Sequence, residues 1–177
     1  MKKSIIINLF AGPGAGKSTG ATYVFSKLKM AGVDAEYVSE FAKDKVWEKN
    51  SKVFECQFYV TGKQAFKISR CYGEVDVIIT DSPIAIGAQY CQDNPALKDA
   101  ILYEFNKYKG DNLNVFINRV KKYNPNGRHQ TEAEAKAIDT STKEWLNDNK
   151  IDFIEVDGNE EGYNKLVATV LELVGKR

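Results

Sequence analysis

The chain has 177 residues, of which 43% are hydrophobic and 28% are charged, so we predict a single globular domain over residues 1–177 and exclude a disordered chain. The net charge of +1 gives no overall attraction to nucleic acid or to a membrane surface. No apolar run approaches the roughly 20 residues that cross a bilayer, so no membrane partner is expected. Cys56, Cys71 and Cys91 lack metal-type spacing, which indicates reduced thiols and a cytoplasmic location.

Short apolar runs alternate with longer amphipathic stretches along the chain. The apolar runs predict strands over residues 4–10, 35–39, 75–80, 112–118 and 151–156. The amphipathic stretches predict helices over residues 17–31, 40 to about 50, 52–72, 95–109, 131 to about 149 and 160–174. The sequence does not decide between a loop and a short helix over residues 83–92. This alternation predicts an α/β three-layer sandwich, in which helices cover both faces of a parallel sheet.

A glycine-rich segment joins the first strand to the first helix. It reads Ala11, Gly12, Pro13, Gly14, Ala15, Gly16, Lys17, Ser18 and Thr19. Such a loop curls its backbone N–H groups around phosphate oxygens, and the start of the following helix adds positive potential. Lys17 is expected to reach the β- and γ-phosphates of ATP, and Ser18 to bind Mg²⁺. One position departs from the G-x-x-x-x-G-K-[ST] pattern, since Ala11 replaces the first glycine.

An acidic residue ends the third predicted strand. Asp81 follows the apolar run there, and an acid beside a phosphate loop can hold Mg²⁺, usually through water. The alternative is a structural role, in which Asp81 caps a helix. Thr131, with Glu134 three residues later, forms a separate capping-box pattern at the start of the fifth predicted helix.

Four segments together resemble the nucleoside and nucleotide kinase branch of the P-loop proteins. They are AGPGAGKST after the first strand, SEFAK after the second, ITDSP after the third and a basic loop after the fourth. The resemblance implies a five-stranded parallel sheet of order 2-3-1-4-5, with the acceptor bound over the carboxyl ends of the strands. The chain is also similar to small phage-encoded P-loop kinases that act on nucleotides or on hydroxymethylated DNA bases, which would place it in the host cytoplasm.

The resemblance assigns reaction chemistry to three segments. Glu40 matches the carboxylate that accepts the proton of the attacking hydroxyl, although Asp81 is a rival base and a helix-stabilising role is the alternative for Glu40. Residues 119–131 match a lid, in which Arg119 and Arg128 would close on the transferring phosphoryl group. A solvated basic loop is the alternative there.

The acceptor residues implied by the resemblance lie on the third helix and in the lid. Gln57 would read a base edge, Phe54 and Phe58 would stack on the base, and Lys121 would contact the substrate. Aromatic residues on a helix are more often part of a core, so that alternative stays open.

These features predict an ATP- and Mg²⁺-dependent kinase for a hydroxyl or phosphate of a nucleoside or nucleotide. The first alternative is a DNA kinase that phosphorylates the hydroxymethyl group of 5-hydroxymethyluracil, which would make DNA a partner. The second is a regulatory P-loop NTPase. The expected assembly is a monomer or a homodimer.

Overall fold

The computed structural model describes residues 3–91, 93–124 and 131–176. Its five strands are β1 Ile5–Phe10, β2 Ala35–Val38, β3 Val77–Thr80, β4 Asn112–Asn118 and β5 Ile154–Asp157. Its α-helices in the described ranges are α1 Lys17–Met30, α2 Phe41–Trp47, α3 Gln57–Ser69, α4 Pro95–Asn106, α5 Glu132–Asp148 and α6 Glu160–Gly175. All strand pairings are parallel and the order is β2-β3-β1-β4-β5, which confirms the predicted fold.

The central strands are buried on both faces. Every residue of β1 and of β3 is buried, as expected for parallel strands covered by helices on both sides. In β1 the one polar residue is Asn8, whose side-chain Nδ2 donates to Asn112 Oδ1 at 3.0 Å and to Asn114 Oδ1 at 3.1 Å. Because both partners lie on β4, this amide ladder links β1 to β4 through side chains as well as through the backbone.

The prediction of one long helix over residues 52–72 is wrong. The chain instead forms a 3₁₀ segment, Ser51–Glu55, and then α3, with Cys56 between them in a non-helical conformation. No glycine or proline marks this break, and local propensity is a weak guide where packing decides the backbone. Residues 83–92, which the sequence left undecided, contain a second 3₁₀ segment, Ile84–Tyr90.

The predicted capping box at the start of α5 is confirmed. The Thr131 hydroxyl accepts from the backbone N–H of Glu134, and the Glu134 carboxylate accepts from the backbone N–H of Thr131. This motif satisfies N–H groups that the first helical turn leaves unpaired. The start of α5 is therefore fixed at the end of the predicted lid.

Helix α3 packs closely against the second 3₁₀ segment. A side chain on Gly87 would collide with Thr61, whose Cγ2 lies 2.9 Å from the position of such a Cβ. The close approach brings α3 beside the segment that follows β3. None of the helices in the described ranges has the length and apolar character needed to cross a lipid bilayer.

Candidate active site

The phosphate loop connects β1 to α1 at the carboxyl edge of the sheet. Lys17 reaches back across it, since its Nζ donates to the backbone oxygen of Ala11 at 2.6 Å and of Gly12 at 3.2 Å. Gly16 has a φ of +119°, a left-handed conformation that side chains rarely adopt. Burial lowers the pKa of Lys17, while Glu40 and Asp81 oppose that shift. The ammonium group thus lies where the loop turns and faces two carboxyl groups.

The structure explains why the loop tolerates alanine at its first position. Ala11 has no positive φ and packs in the core, so nothing there requires glycine. Gly12 differs, because a Cβ on it would lie 2.7 Å from the backbone oxygen of Ala135 and 2.8 Å from Asp139 Oδ1. The loop is therefore constrained at its second position, where α5 approaches it.

The side chains of Ser18 and Asp81, both predicted to bind Mg²⁺, lie in direct contact. Ser18 Oγ donates to Asp81 Oδ2 at 2.5 Å, while the buried Oδ1 accepts no hydrogen bond of normal geometry from the described residues. Tyr37 lies beside this carboxylate, and burial together with Asp81 raises the pKa of its hydroxyl. A hydroxyl and a carboxylate with spare oxygen lone pairs are the donor types that Mg²⁺ prefers. The pair fits a magnesium site that is completed by phosphate oxygens and water.

Glu40 lies at the start of α2 and on the wall of a cavity of about 600 Å³. Its side chain makes no capping hydrogen bond to the helix, although the residue occupies the N-cap position. Burial raises the pKa of Glu40 and Asp81 adds to the rise, whereas Lys17 lowers it. A partly buried carboxyl that faces a cavity, Lys17 and Asp81 has the environment of a general base.

Helix α3 fixes both neighbours of Glu40 in the chain. Gln64 Oε1 accepts from the backbone N–H of Phe41 at 2.9 Å, and Lys67 Nζ donates to the backbone oxygen of Ser39 at 2.6 Å. Gln64 Nε2 also donates to Thr80 Oγ1 at 3.3 Å, next to Asp81. Sequence reasoning missed this role of Gln64 and Lys67, because it depends on the tertiary position of α3 relative to Ser39, Phe41 and Thr80.

Arg119 forms a buried ion pair at the other side of the phosphate loop. Its Nε donates to Asp139 Oδ2 and its Nη2 to the backbone oxygen of Pro13, both at 2.8 Å. Asp139 Oδ1 in turn accepts from the backbone N–H of Gly12 at 2.6 Å. The third guanidinium nitrogen, Nη1, is buried without a partner in the described ranges. Asp139 was not predicted, since no local pattern distinguishes it from other acids on α5.

The cavity is formed by the start of α2, the first 3₁₀ segment, α3 and the segment after β3. Of the predicted acceptor residues, Phe54, Gln57 and Glu40 line it. Phe58 does not, and its side chain is 72% exposed. Lys121 is also absent from the wall and instead lies near Gly16, where a Cβ added to the glycine would be 3.3 Å from Nζ of the lysine. Arg128 lies outside the described residues.

A parallel sheet of this order, with a phosphate loop after β1 and an acid after β3, defines the P-loop class of folds. The sequence profile of the family AAA_28, described as an AAA domain, matches residues 6–162, and the chain belongs to this family. A search of curated proteins finds no match.

Solved structures share the fold at low sequence identity. NadR in complex with NR has a TM-score of 0.65 and 15% identity, over 97% of this chain and 52% of that one. NadR with NAD and AMP-PNP has a TM-score of 0.67 and 12% identity, over 97% and 50%. Thymidylate kinase from Candida albicans has a TM-score of 0.60 and 14% identity, over 98% and 92%. The chain therefore spans about half the length of NadR and most of the thymidylate kinase.

Proposed function

We propose that the chain is an ATP-dependent kinase that transfers the γ-phosphoryl group to a hydroxyl or phosphate of a nucleoside- or nucleotide-type acceptor. The observation that carries the proposal is the position of Glu40, which lines the cavity and interacts electrostatically with Lys17 of the phosphate loop. A carboxyl group in this place can contact an acceptor in the cavity and at the same time lie close to a phosphate that is bound to the loop. The fold shared with a thymidylate kinase supports phosphoryl transfer as the reaction class.

The donor phosphates are assigned to the loop between β1 and α1. Lys17 would exchange the carbonyl oxygens of Ala11 and Gly12 for β- and γ-phosphate oxygens. Backbone N–H groups and the start of α1 supply further positive potential. The residues assigned to this task are Gly12, Pro13, Gly14, Ala15, Gly16, Lys17, Ser18 and Thr19.

Ser18 and Asp81 are assigned to Mg²⁺. The buried Asp81 Oδ1 supports this, because it accepts no hydrogen bond of normal geometry from the described residues and so has lone pairs that can face a cation. When bound, the metal would offset the negative charge on the β- and γ-phosphates. Asp81 would then act on the metal and the ATP phosphates and not on the acceptor.

Glu40 is the better candidate for the general base, because it lines the cavity and Asp81 does not. The acceptor hydroxyl would give its proton to Glu40 as its oxygen forms a bond to the γ-phosphorus. The bond between the γ-phosphorus and the bridging oxygen breaks at the same time, and ADP leaves. Arg119 can offer its unpartnered Nη1 to the transferring group, and Arg128 stays a predicted lid residue.

A second candidate acceptor is a hydroxymethylated base in single-stranded DNA. Of the seven aromatic side chains in the described ranges that are at least 40% exposed, six lie on elements that form the cavity and Tyr103 lies on α4. The six are Trp47, Phe54, Phe58, Tyr59, Phe66 and Tyr90. Residues 41–70 contain seven Lys or Arg and three Asp or Glu, so this segment carries +4 within a chain of +1. Aromatic and cationic side chains together are typical of surfaces that bind single strands.

The proposal is tested with γ-labelled ATP and separate pools of nucleosides, nucleotides, plain DNA and hydroxymethyluracil-containing DNA. Label on a small acceptor supports the first candidate, and label on modified DNA alone supports the second. Label released only as inorganic phosphate would contradict both and favour an NTPase. Lys17→Ala should abolish transfer, since no other side chain replaces its ammonium group.

Glu40→Gln separates catalysis from donor binding. The amide keeps the shape of the side chain but cannot accept the proton, so turnover should fall on the order of 10²- to 10⁴-fold while ATP affinity stays the same. The matched control is Glu48→Gln, an exposed acid at the end of α2 that does not line the cavity. An equal loss of turnover and of ATP binding in Glu40→Gln would remove Glu40 from the role of base.

A further inference from the structure

The charged residues on the cavity wall have one sign. Glu40 and Glu55 line the cavity, and among the described residues that do so there is no lysine or arginine. The remaining wall is made of apolar side chains and neutral polar ones, including Gln57, Thr61 and Ser82. The polar groups can hydrogen-bond to a neutral ligand, while no described side chain on the wall can neutralise an anion.

The lysines near the cavity either bond to other groups or do not line its wall. Lys17 contacts loop carbonyl oxygens, and Lys67 contacts the backbone oxygen and hydroxyl of Ser39. Lys43 interacts electrostatically with Glu40 but is exposed and does not line the cavity. The lysines and the arginine of residues 41–70 therefore do not line the cavity.

Apolar walls strengthen the effect of Glu40, which is partly buried, whereas Glu55 is exposed and is screened more by water. Phe41, Phe54, Ile84 and Ile86 lie on the wall, and such surfaces keep water away from a bound molecule. An anion placed there would lose hydration and would be repelled by Glu40, in surroundings that screen the repulsion less than water does. An uncharged ring with hydroxyl groups would meet no repulsion, and its smaller desolvation cost can be offset by hydrogen bonds to the polar wall residues.

We infer that the part of the acceptor that enters this cavity is an uncharged, hydroxyl-bearing group of nucleoside type, and that a nucleoside monophosphate does not bind with its phosphate there. This inference rests on the proposed function and narrows it to phosphorylation of a hydroxyl. A free nucleoside and a hydroxymethylated base of a DNA strand share this chemistry. If the group is a base of a DNA strand, the phosphates of the strand would stay outside the cavity, near the exposed lysines.

The test is calorimetric titration of purified protein without ATP, using matched pairs of nucleosides and their 5′-monophosphates, and short single strands with or without hydroxymethyluracil. We expect at least one nucleoside to bind about tenfold or more tightly than its monophosphate, or the modified strand to bind about tenfold or more tightly than the unmodified strand. Preference for a nucleoside identifies the free source, and preference for the modified strand identifies the polymer. Monophosphates that bind as tightly as the nucleosides would overturn the inference.

Charge variants of Glu55 provide the control within the chain. Glu55 is exposed, so replacing it should not prevent folding. Glu55→Lys should improve monophosphate binding about tenfold or more, and Glu55→Gln less, while Glu48→Lys makes the same charge change outside the cavity and should have little effect. Equal effects of Glu55→Lys and Glu48→Lys would show that overall charge, and not the cavity wall, sets the preference.

The binding experiment and the transfer experiment test the two proposals independently. If nucleosides bind selectively but no label is transferred to any acceptor, the kinase proposal is wrong and the inference about the cavity stands. If label is transferred efficiently to the phosphate of a monophosphate, the kinase proposal stands and the inference is wrong.

Discussion

Arg119 and Asp139 form an ion pair at 2.8 Å that joins the end of β4 to α5, and Asp139 also binds the backbone of the phosphate loop. The two side chains are only 7% and 16% exposed. The helix that follows the predicted lid is thus tied to the phosphate loop through one carboxylate. Movement of α5 would be transmitted to Gly12, because the same carboxylate contacts both.

Asp139→Asn should destabilise the protein strongly. The amide can still accept from Gly12 but places its own N–H₂ group against Arg119, so a buried guanidinium loses its counter-charge. Removing one partner of a buried pair typically costs about 3–5 kcal/mol in the free energy of unfolding. Urea denaturation measures this, with Lys136→Ala as the control, since the exposed Lys136–Glu132 pair on the same helix should contribute less than about 1 kcal/mol. Similar losses in both variants would contradict a special role for Asp139.

Asp81→Asn should weaken ATP binding only when Mg²⁺ is present. The substitution removes the negative charge beside Ser18 while keeping an oxygen that can accept from the serine hydroxyl. Losses of about 10- to 100-fold are typical when groups that support a metal are changed. Calorimetry with Mg²⁺ and with EDTA measures the difference, and Asp148→Asn on the exposed end of α5 is the control. A loss of equal size in EDTA would argue against metal binding at Asp81.

Gln64→Met should lower stability and turnover together. Methionine has a similar shape but lacks the amide oxygen that accepts from the Phe41 N–H, and an unpaired buried group costs about 1–3 kcal/mol. The Thr80 hydroxyl loses the Gln64 amide but keeps its hydrogen bonds to the backbone of Ser82. Gln57→Met is the matched control, because Gln57 also lines the cavity but, within the described ranges, donates its side-chain hydrogen bond to Thr61 of its own helix. The control should change the acceptor KM more than kcat. Gln64→Met should instead reduce kcat through the position of Glu40, and the reverse pattern would refute that role.

Glu40 should make stability depend on pH in a defined direction. Its folded-state pKa is raised by burial and by Asp81, so between the unfolded and folded values the native state binds more protons than the unfolded chain. Stability therefore falls as the pH rises through this window. Glu40→Gln should raise the unfolding temperature above the window and change it little below the unfolded pKa. Thermal scans across pH measure this, and a gain that is the same at all pH values would exclude ionisation as its cause.

The features that sequence predicts best are those in which neighbouring residues carry the whole signal. The apolar runs of β1 and β3 mark buried strands, and the phosphate loop is recognisable because its glycines and Lys17 are close in sequence. Asp139 could not be found this way, since it meets Gly12 across 127 positions of the chain. The break at Cys56 is similar, because it follows from packing of the 3₁₀ segment against α2 and not from a helix-breaking residue.

The amide ladder between Asn8, Asn112 and Asn114 has a consequence for the whole carboxyl edge of the sheet. Strands with apolar residues on both faces could slide past each other without exposing anything polar, so hydrophobicity alone fixes their alignment weakly. A slip of one residue would strand the Asn8 amide in the core and displace Arg119 by about 3.3 Å relative to Ala11. Three uncharged side chains inside the sheet therefore favour the alignment that brings Arg119 alongside the phosphate loop.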